Sequence, residues 1–397
     1  MSEFKTYTLE QLCIVGSSKR VHLSDYVQQG IPFYRSKEVI EISSGKNISE
    51  QLFISSEKYS EIKSKFPVPQ ENDVLITAVG TIGEILVVKD PNFYFKDGNL
   101  IWLRNINFDI IDIDYLYYFF KSDLFQKTIK YNNIGAVQKA LTIDFLKTVK
   151  ITLPSLDNQR KLVSVLKSID KKILLNNQIN QELEAMAKTL YDYWFVQFDF
   201  PDQNGKPYKS SGGKIVYNPE LKREIPEGWG VTKVGELQIA TGKRDANFGT
   251  ENGKYDFWTT ANSPIKADEF SFEGKAILIA GNGNFYVNFT EGKFEAYQRT
   301  YVIQSEDENM LIFMYMACLQ SAEKLRKGSN GSIIKYITIG DVNNIVSPYN
   351  KKVVDEFVRI YSPLIDLIPK NKRQNQELTK LRDWLLPMLM NGQVKVE

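Results

Sequence analysis

The chain has 397 residues, of which 43% are hydrophobic and 25% charged, and its net charge is +2. This length predicts two or more domains, each with enough apolar residues for its own core. One histidine and two cysteines are too few for a cysteine/histidine zinc site, and they leave acid–base catalysis to carboxylates, lysine or tyrosine.

The location of the protein is suggested by what its sequence lacks. No apolar run reaches the ~18 residues that a membrane-spanning helix needs. The N-terminal residues lack the basic-then-apolar order of a signal peptide. Cys13 and Cys318 lie far apart in the sequence, and we expect both to be buried free thiols. We therefore expect a cytoplasmic protein that is not bound to a membrane.

The first predicted globular unit covers residues 1–153. Two apolar runs, Val74–Val79 and Ile85–Val88, flank a glycine-containing turn and predict a β-hairpin. Leu100–Leu103 is predicted to be another strand, and Tyr115–Ile129 has the apolar spacing of a helix. This mixture predicts a mixed α/β (α+β) fold.

A long helix is predicted within residues 154–196. No proline or glycine occurs from Gln159 to Phe195, so about 37 residues can form a helix of about 55 Å. A seven-residue repeat runs along it and is typical of a coiled coil. One set of predicted core positions is Leu162, Ile169, Asn176, Leu183 and Leu190, and the other is Val165, Lys172, Ile179, Met186 and Tyr193.

The second half of the chain repeats the order of the first. Residues 197–225 are rich in Pro, Gly, Ser and Asn and predict a linker or exposed loop. A second globular unit is predicted over 226–349, with strands at Ala276–Ala280 and Arg299–Ile303 and a helix at Met310–Leu325.

A second long helix and a C-terminal turn are predicted over 350–397. Pro363 and Pro369 lie inside the helix and should kink it or start it afresh. Its seven-residue repeat gives two sets of predicted core positions: Phe357, Leu364, Asn371, Leu378 and Leu385, and then Ile360, Leu367, Gln374, Leu381 and Met388.

The two long helices are copies of each other. Asn180-Gln181-Glu182-Leu183 returns as Asn375-Gln376-Glu377-Leu378, an offset of 195 (375 − 180), and Asn176 returns as Asn371. A buried Asn in a coiled coil fixes register and partner at a cost in stability. We expect antiparallel pairing with the two asparagines facing each other, and a pseudo-two-fold molecule. The alternative is that each helix packs on its own globular unit and its asparagine is solvated.

Short motifs lie at the ends of the two globular units and of the two long helices: 135–141 with 151–154 and 158–160, then 193–195, 198–201 with 225–229, and 385–394. These motifs resemble those of the specificity subunits of type I restriction-modification systems. Together with the duplicated layout they cover nearly the whole chain. The second copy departs from the pattern at two places. Asn350-Lys351-Lys352 stands where the first copy has Asn158-Gln159-Arg160, and Gly331–Ile334 stands where it has the motif around Gln138.

The resemblance implies a division of labour. Each globular unit would be a target-recognition domain that reads half of a split site in double-stranded DNA. The helices would hold the two domains apart and dock two methyltransferase subunits, which bring S-adenosylmethionine and methylate adenine. Two restriction subunits would cut unmodified foreign DNA with ATP and Mg²⁺. This chain would then be non-catalytic, with no cofactor or metal of its own.

Candidate DNA contacts are polar and cationic side chains on predicted loops, because phosphates attract Lys and Arg and base edges suit Arg, Asn, Gln, Ser and Thr. The pairs Lys19-Arg20 and Lys243-Arg244 rank first, since they occupy matching places near the start of each unit. Tyr255 and Trp258 are either base-stacking residues or core residues. The candidates are Lys19, Arg20, Arg35, Lys37, Thr81, Gln138 and Lys139 in the first unit, and Lys243, Arg244, Asn282, Asn284, Arg299, Lys327, Ser329 and Asn330 in the second.

Three other functions are alternatives to DNA recognition. Asp202 followed by Glu220-Leu221-Lys222 mimics a metal-dependent nuclease, but no apolar strand pattern surrounds these residues. Ser347-Pro348-Tyr349 and Asp90–Phe93 mimic the base-clamping motif of amino-methyltransferases, but each lacks the second proline. The third function is a coiled-coil scaffold whose globular ends bind proteins, and it would show no sequence-specific DNA binding.

Overall fold

A computed structural model describes residues 4–132, 140–328 and 335–390 of the chain. The chain forms two compact units. Unit 1 comprises Met1–Asn176 with Arg373–Glu397, and unit 2 comprises Asn177–Lys372. Each unit combines a mixed α/β globular part with segments of both long helices, which confirms the predicted fold class.

The globular part of unit 1 consists of short strands and helices, followed by one long helix that reaches into unit 2. The strands are β1 Lys5–Thr8, β2 Ile14–Gly16, β3 Tyr26–Val27, β4 Ile31–Tyr34, β5 Leu52–Ile54, β6 Val74–Thr77, β7 Ile85–Val87, β8 Tyr94–Phe95, β9 Leu100–Arg104 and β10 Lys150–Leu153. The helices are α1 Leu9–Leu12, α2 Ser36–Ser43, α3 Ser56–Lys65, α4 Ile113–Lys121, α5 Asp123–Asn132, α6 Ile143–Thr148 and α7 Leu156–Tyr191, the last of which continues as a π-helical turn, Asp192–Val196.

Unit 2 follows the same plan with one added hairpin at its start. The strands are β11 Ile215–Asn218, β12 Arg223–Pro226, β13 Gly230–Lys233, β14 Gln238–Thr241, β15 Tyr255–Trp258, β16 Ile265–Ala267, β17 Phe272–Glu273, β18 Ala276–Ala280, β19 Val287–Thr290, β20 Lys293–Ala296, β21 Thr300–Gln304 and β22 Val346–Tyr349. The helices are α8 Glu308–Gly328, α9 Ile339–Asn343 and α10 Lys351–Met390.

The sheets confirm the internal duplication. In unit 1 the four-stranded sheets have the orders β2-β9-β6-β7 and β3-β5-β4-β8, and β1 pairs with β10. In unit 2 the corresponding sheets are β14-β21-β18-β19 and β16-β15-β20-β17, and β13 pairs with β22. The predicted hairpin is the antiparallel pair β6–β7. Its counterpart in unit 2 is the antiparallel pair β18–β19.

The helix predicted over Tyr115–Ile129 is in fact two helices, α4 and α5. They break at Ser122, whose backbone is extended. The Ser122 hydroxyl donates to the Phe119 carbonyl at 2.6 Å and accepts from the Phe125 N–H at 3.3 Å. The serine thus stabilises the end of one helix and the start of the next, a capping role that apolar spacing does not reveal.

The segment predicted to be a linker, 197–225, is part of unit 2. Phe198 and Phe200 are buried, with ring centroids 5.7 and 4.9 Å from that of Trp229. The buried Asp199 carboxylate accepts hydrogen bonds from the N–H and hydroxyl of Ser210 at 2.7 and 2.6 Å. The prediction of an exposed linker is therefore wrong at the start of this segment, where burying two aromatic rings outweighs the polar composition of the rest.

The first set of core positions is confirmed on α7, and the second set is wrong by one residue. Leu162, Ile169, Asn176 and Leu183 are buried and Leu190 is half-buried. Both choices carry apolar residues, so periodicity alone did not separate them. The second row lies four residues after the first. Its buried members are Leu166, Asn180, Ala187 and Trp194 along α7 and its π-helical turn, and Tyr361 and Leu389 on α10; its half-buried members are Ile173, Ile368, Asn375 and Arg382.

The seam asparagines bond across the helix pair inside each unit. In unit 1 the Asn176 amide donates to the side chains of Gln374 and Asn375, both at 2.8 Å. In unit 2 the Asn371 amide donates to Asn180 at 2.9 Å. The prediction that Asn176 and Asn371 face each other is therefore wrong. Asn176 bonds to Asn375, and Asn371 bonds to Asn180. The two bonds are equivalent, because the offset of 195 relates 176 to 371 and 180 to 375 (371 − 176 and 375 − 180).

An ion pair adds to the antiparallel pairing within unit 1. Arg382 Nη1 lies 2.9 Å from Asp170 Oδ1, and the Tyr118 hydroxyl donates to the other oxygen at 2.6 Å. The contacts at 176 with 375 and at 170 with 382 run in opposite directions along the two helices. Leu183 is buried and Leu378 is half-buried. Pro363 and Pro369 lie within one continuous helix, α10, so the predicted restart is wrong.

Cys13 and Cys318 are free and buried, as expected. Burial raises the pKa of the Cys13 thiol to about 12. In the described part of the chain, no helix combines the length and the apolar character needed to cross a membrane.

Candidate nucleic-acid interface

Four loops of unit 2 meet at one end of the sheet β14-β21-β18-β19. Two glycines let them approach closely, because a Cβ on Gly242 would lie 2.1 Å from the Tyr297 carbonyl oxygen and one on Gly281 would lie 2.6 Å from that of Arg299. We call this surface the unit 2 edge and define it as residues 242–245, 281–284, 297–299 and 335–337.

The loops of the unit 2 edge are joined by backbone hydrogen bonds. The N–H of Gly281 donates to Arg299 at 2.7 Å and the N–H of Ile337 donates to Gly281 at 3.0 Å. The N–H of Gly283 donates to Lys335 at 3.0 Å. Side chains on these loops are therefore presented by a rigid frame, as a recognition surface requires.

Five of the predicted contacts of unit 2 come together at this edge: Lys243, Arg244, Asn282, Asn284 and Arg299. Among the described residues, the exposed Arg299 side chain has neither a hydrogen bond nor an ion pair, so its charge is available to a ligand.

The remaining predicted contacts of unit 2 lie elsewhere. Lys327 is near the end of α8, where it pairs with Glu323 at 2.8 Å. Ser329 and Asn330 fall outside the described residues. Sequence reasoning missed Lys335, which is exposed and follows directly after the motif copy at 331–334. Its position beside that motif was the only available signal.

Unit 1 has a matching edge at the same end of the sheet β2-β9-β6-β7. The N–H of Ala78 donates to Asn99 at 2.8 Å and the N–H of Leu141 donates to Ala78 at 2.9 Å. The Ser18 hydroxyl donates to the Phe95 carbonyl at 2.8 Å. We call this surface the unit 1 edge and define it as residues 17–20, 35–37, 78–83, 96–99 and 140.

Lys19, Arg20, Arg35, Lys37 and Thr81 all belong to the unit 1 edge. The predicted Gln138 and Lys139 fall outside the described residues, directly before Ala140, whose backbone bridges that of Val79.

Most of the predicted cations of unit 1 have partners within the protein. Arg20 Nε lies 3.0 Å from Asp97, and Lys37 lies 3.5 Å from Glu50. The Lys19 ammonium lies 5.0 Å from the centroid of the Phe66 ring. Such contacts reduce the charge available to a phosphate, and sequence spacing does not reveal them.

Arg35 has a structural role in unit 1. Its Nη2 lies 2.7 Å from Oε1 of Glu38, a carboxylate that is fully buried. Burial alone would raise the pKa of Glu38, but the hydrogen bonds from the Arg35 side chain and N–H outweigh burial and hold that pKa below its usual value. The hydrogen bond to Glu38 likewise raises the pKa of Arg35. Arg35 therefore neutralises a buried charge whether or not it also contacts DNA.

Of the two aromatic candidates, Trp258 belongs to the core alternative, whereas Tyr255 is half-buried. Trp258 is 8% exposed, and its indole N–H donates to Thr290 at 3.2 Å. It packs in one cluster with Phe272 and Phe294. Tyr255 lies against Phe270, with ring centroids 4.9 Å apart. A buried indole with a satisfied N–H does not stack on a base.

The nuclease-like residues lack a metal-binding arrangement. Asp202 Oδ1 accepts from the N–H groups of Asn204 and Lys206 at 2.7 and 2.9 Å, so this carboxylate stabilises its own turn. Across the ranges 4–132, 140–328 and 335–390, no group of three or more His, Cys, Asp and Glu side chains is placed to hold a metal ion.

Comparison with known proteins identifies two copies of one domain. The family model described as the type I restriction modification DNA specificity domain matches residues 1–185 and again 226–379. The MjaIX type I restriction enzyme specificity subunit of Methanocaldococcus jannaschii is 28% identical, with 96% of this chain and 91% of that protein covered. The EcoDI specificity subunit of Escherichia coli is 34% identical over 44% of this chain and 40% of its own length.

A solved structure shares the fold. The S subunit of a type I restriction-modification system from M. genitalium superposes with a TM-score of 0.58 at 16% sequence identity. The match covers 98% of this chain and 96% of that one.

Proposed function

This chain belongs to the type I restriction modification DNA specificity family, and on that premise we propose that it is the non-catalytic subunit that selects the DNA sequence for a type I restriction-modification complex. Two copies of the domain occur in one chain, so each copy reads one half of a bipartite target. The methylation and cleavage chemistry then belongs to partner subunits.

The duplicated edge is the observation that supports DNA reading. Both units bring corresponding loops to the same end of corresponding sheets, but the side chains differ: Thr81 follows β6, whereas Asn282 and Asn284 follow β18. A shared frame with different polar groups is what two readers of unlike half-sites require, because base identity is read by hydrogen-bonding groups.

The partner subunits supply the cofactors in this proposal. Two methyltransferase subunits bring S-adenosylmethionine, and two restriction subunits bring ATP and Mg²⁺. In this proposal the chain itself needs neither cofactor nor metal.

The long helices offer a surface for the methyltransferase subunits. Several positions of the predicted second seam face outward instead of into the helix pair, so each long helix keeps an apolar row at seven-residue spacing on its outer side. Such a row is the pattern by which one helix packs against another, and it suits a partner that contributes helices. The row comprises Ile179, Met186 and Tyr193 along the first helix and its π-helical turn, and Ile360, Leu367 and Leu381 along the second. Leu174, Leu175 and Trp384 are further exposed apolar residues that are not members of the row.

Selection from randomised DNA duplexes tests the DNA-reading proposal. The full chain, assembled with its methyltransferase subunit, should enrich duplexes with two short specified blocks separated by a gap of fixed length. Enrichment should weaken steeply with added salt, because phosphate contacts release counterions. If the assembled complex enriches no sequence, the proposal fails and the coiled-coil scaffold takes its place.

A further inference from the structure

One arginine of the unit 2 edge is held by a buried carboxylate. The Glu295 side chain is fully buried, and its Oε2 accepts from Arg244 Nε at 3.3 Å and from the Ser271 hydroxyl at 2.7 Å. Its Oε1 accepts from the N–H of Ala296 at 2.9 Å. With this many donors, the carboxylate is fixed in place and can in turn fix the guanidinium.

Two further contacts define the orientation of Arg244. Its guanidinium carbon lies 4.3 Å from the centroid of the Phe248 ring. Its Nη2 donates to Glu269 Oε2 at 2.5 Å, and the Glu269 side chain is 65% exposed. Among the described residues Nη1 has no partner, and the Arg244 side chain is 35% exposed. The surface therefore presents a pre-oriented row of donors beside a carboxylate acceptor.

We propose that Arg244 and Glu269 together read one G·C base pair in the major groove, with Glu295 as the residue that positions Arg244. In that groove guanine offers two acceptors, O6 and N7, and cytosine offers the N4 amino group as a donor. Arg244 donates to the guanine and Glu269 accepts from the cytosine. This inference rests on the proposed function and names the base pair that one part of the unit 2 edge selects.

The same geometry is poorly suited to a phosphate. The exposed Glu269 carboxylate would repel a phosphate, and its negative charge favours a base edge that carries an amino donor. Arg299 and Lys335, both exposed in the same edge, are better placed to contact the DNA backbone. The cations of one edge thus divide into base readers and backbone contacts.

The matching arginine of unit 1 lacks this arrangement. Arg20 contacts a single carboxylate, Asp97, and its side chain is 70% exposed. A guanidinium held at one point loses more conformational entropy on binding a base than one that is already fixed. The two units therefore differ in how strongly this position selects a base.

The Arg244→Lys variant tests the proposal in the duplex selection, together with wild-type protein. Lysine keeps the charge but lacks the planar fork that binds guanine through two hydrogen bonds. We expect preference for one G·C pair, in the block read by unit 2, to fall by about 5- to 150-fold, with all other positions unchanged. The Arg299→Lys variant is the matched control and should leave the base preferences unchanged.

Glu269→Gln provides a second variant whose folding is not at risk, since this side chain is largely exposed. It should relax the preference at the same base pair and at no other. If Arg244→Lys lowers affinity for every sequence equally, or if neither variant changes the motif, the inference is overturned. If wild-type protein enriches no motif at all, the proposed function falls and this inference falls with it.

Discussion

Replacing Trp384 by alanine should weaken binding of a methyltransferase subunit by roughly 30-fold or more without unfolding the chain. Trp384 lies on α10 in unit 1 with 59% of its side chain exposed, near Leu381, which is 43% exposed. Tryptophan in the centre of an interface commonly contributes about 2–4 kcal/mol to binding, which corresponds to about 30- to 1000-fold in affinity. Isothermal titration calorimetry of the methyltransferase subunit into each form of the chain measures this change in affinity.

The exposed Lys380 on the same helix provides the matched control for Trp384. Lys380→Ala should change affinity little, because an exposed cation at the rim of an interface contributes mainly to the association rate. If Trp384→Ala binds the methyltransferase subunit as tightly as wild type does, and both variants unfold thermally like wild type, the docking surface lies elsewhere.

Replacing Arg35 by methionine should destabilise unit 1 by about 3 kcal/mol at neutral pH. Removal of Arg35 leaves the fully buried Glu38 carboxylate without its ion-pair partner, and an uncompensated buried charge commonly costs about 3–5 kcal/mol. The lower end applies because Arg35 is itself 30% exposed and in part screened by solvent. Denaturant unfolding at neutral pH measures the difference.

The cost of Arg35→Met should shrink in acid. In the wild type the pKa of Glu38 is lowered from its usual 4.5, so the stability that this group contributes is present above pH 4.5 and is lost as pH falls through the lowered pKa. In the variant, burial raises the pKa of Glu38, and the neutral acid is tolerated. The difference between the two proteins should therefore be largest near pH 7 and clearly smaller near about pH 4.

Arg20→Met is the control for this effect. Its ion pair with Asp97 is 70% exposed on the arginine side, so the free energy of unfolding should change by less than about 1 kcal/mol. An equal loss of stability in both variants, or a loss at Arg35 that does not depend on pH, would show that Glu38 is not the cause.

The architecture could be predicted from the sequence because it depends on long patterns. The repeat of Asn180–Leu183 at Asn375–Leu378 and the apolar run at Ala276–Ala280 each involve several residues that indicate the same structure. The second row of the helix seam was predicted one residue early because apolar residues occupy both choices at several places, such as Val165 beside Leu166 and Met186 beside Ala187. Where Ile179 was predicted, the buried residue is Asn180, which is polar and accepts a hydrogen bond from Asn371, so hydrophobicity did not identify it.

The site was harder to predict because ion pairs join residues far apart in sequence. Arg244 was identified as a loop cation, but its partners Glu269 and Glu295 are 25 and 51 residues away. No local pattern connects them. Glu295 lies near the loop after β14 because the N–H groups of Lys243 and Arg244 donate to the carbonyl of the next residue, Ala296. For Arg244, the pairing with carboxylates therefore follows from the tertiary fold.

Mapping adenine methylation across a genome tests the central claim most directly, with the chain co-expressed with its methyltransferase subunit. The account predicts a split motif, with two short specified blocks around a gap of fixed length. It also predicts that exchanging residues 1–153 for those of another family member changes one block and leaves the other intact. A stable complex that methylates no defined motif, or an exchange that alters both blocks together, would contradict the account.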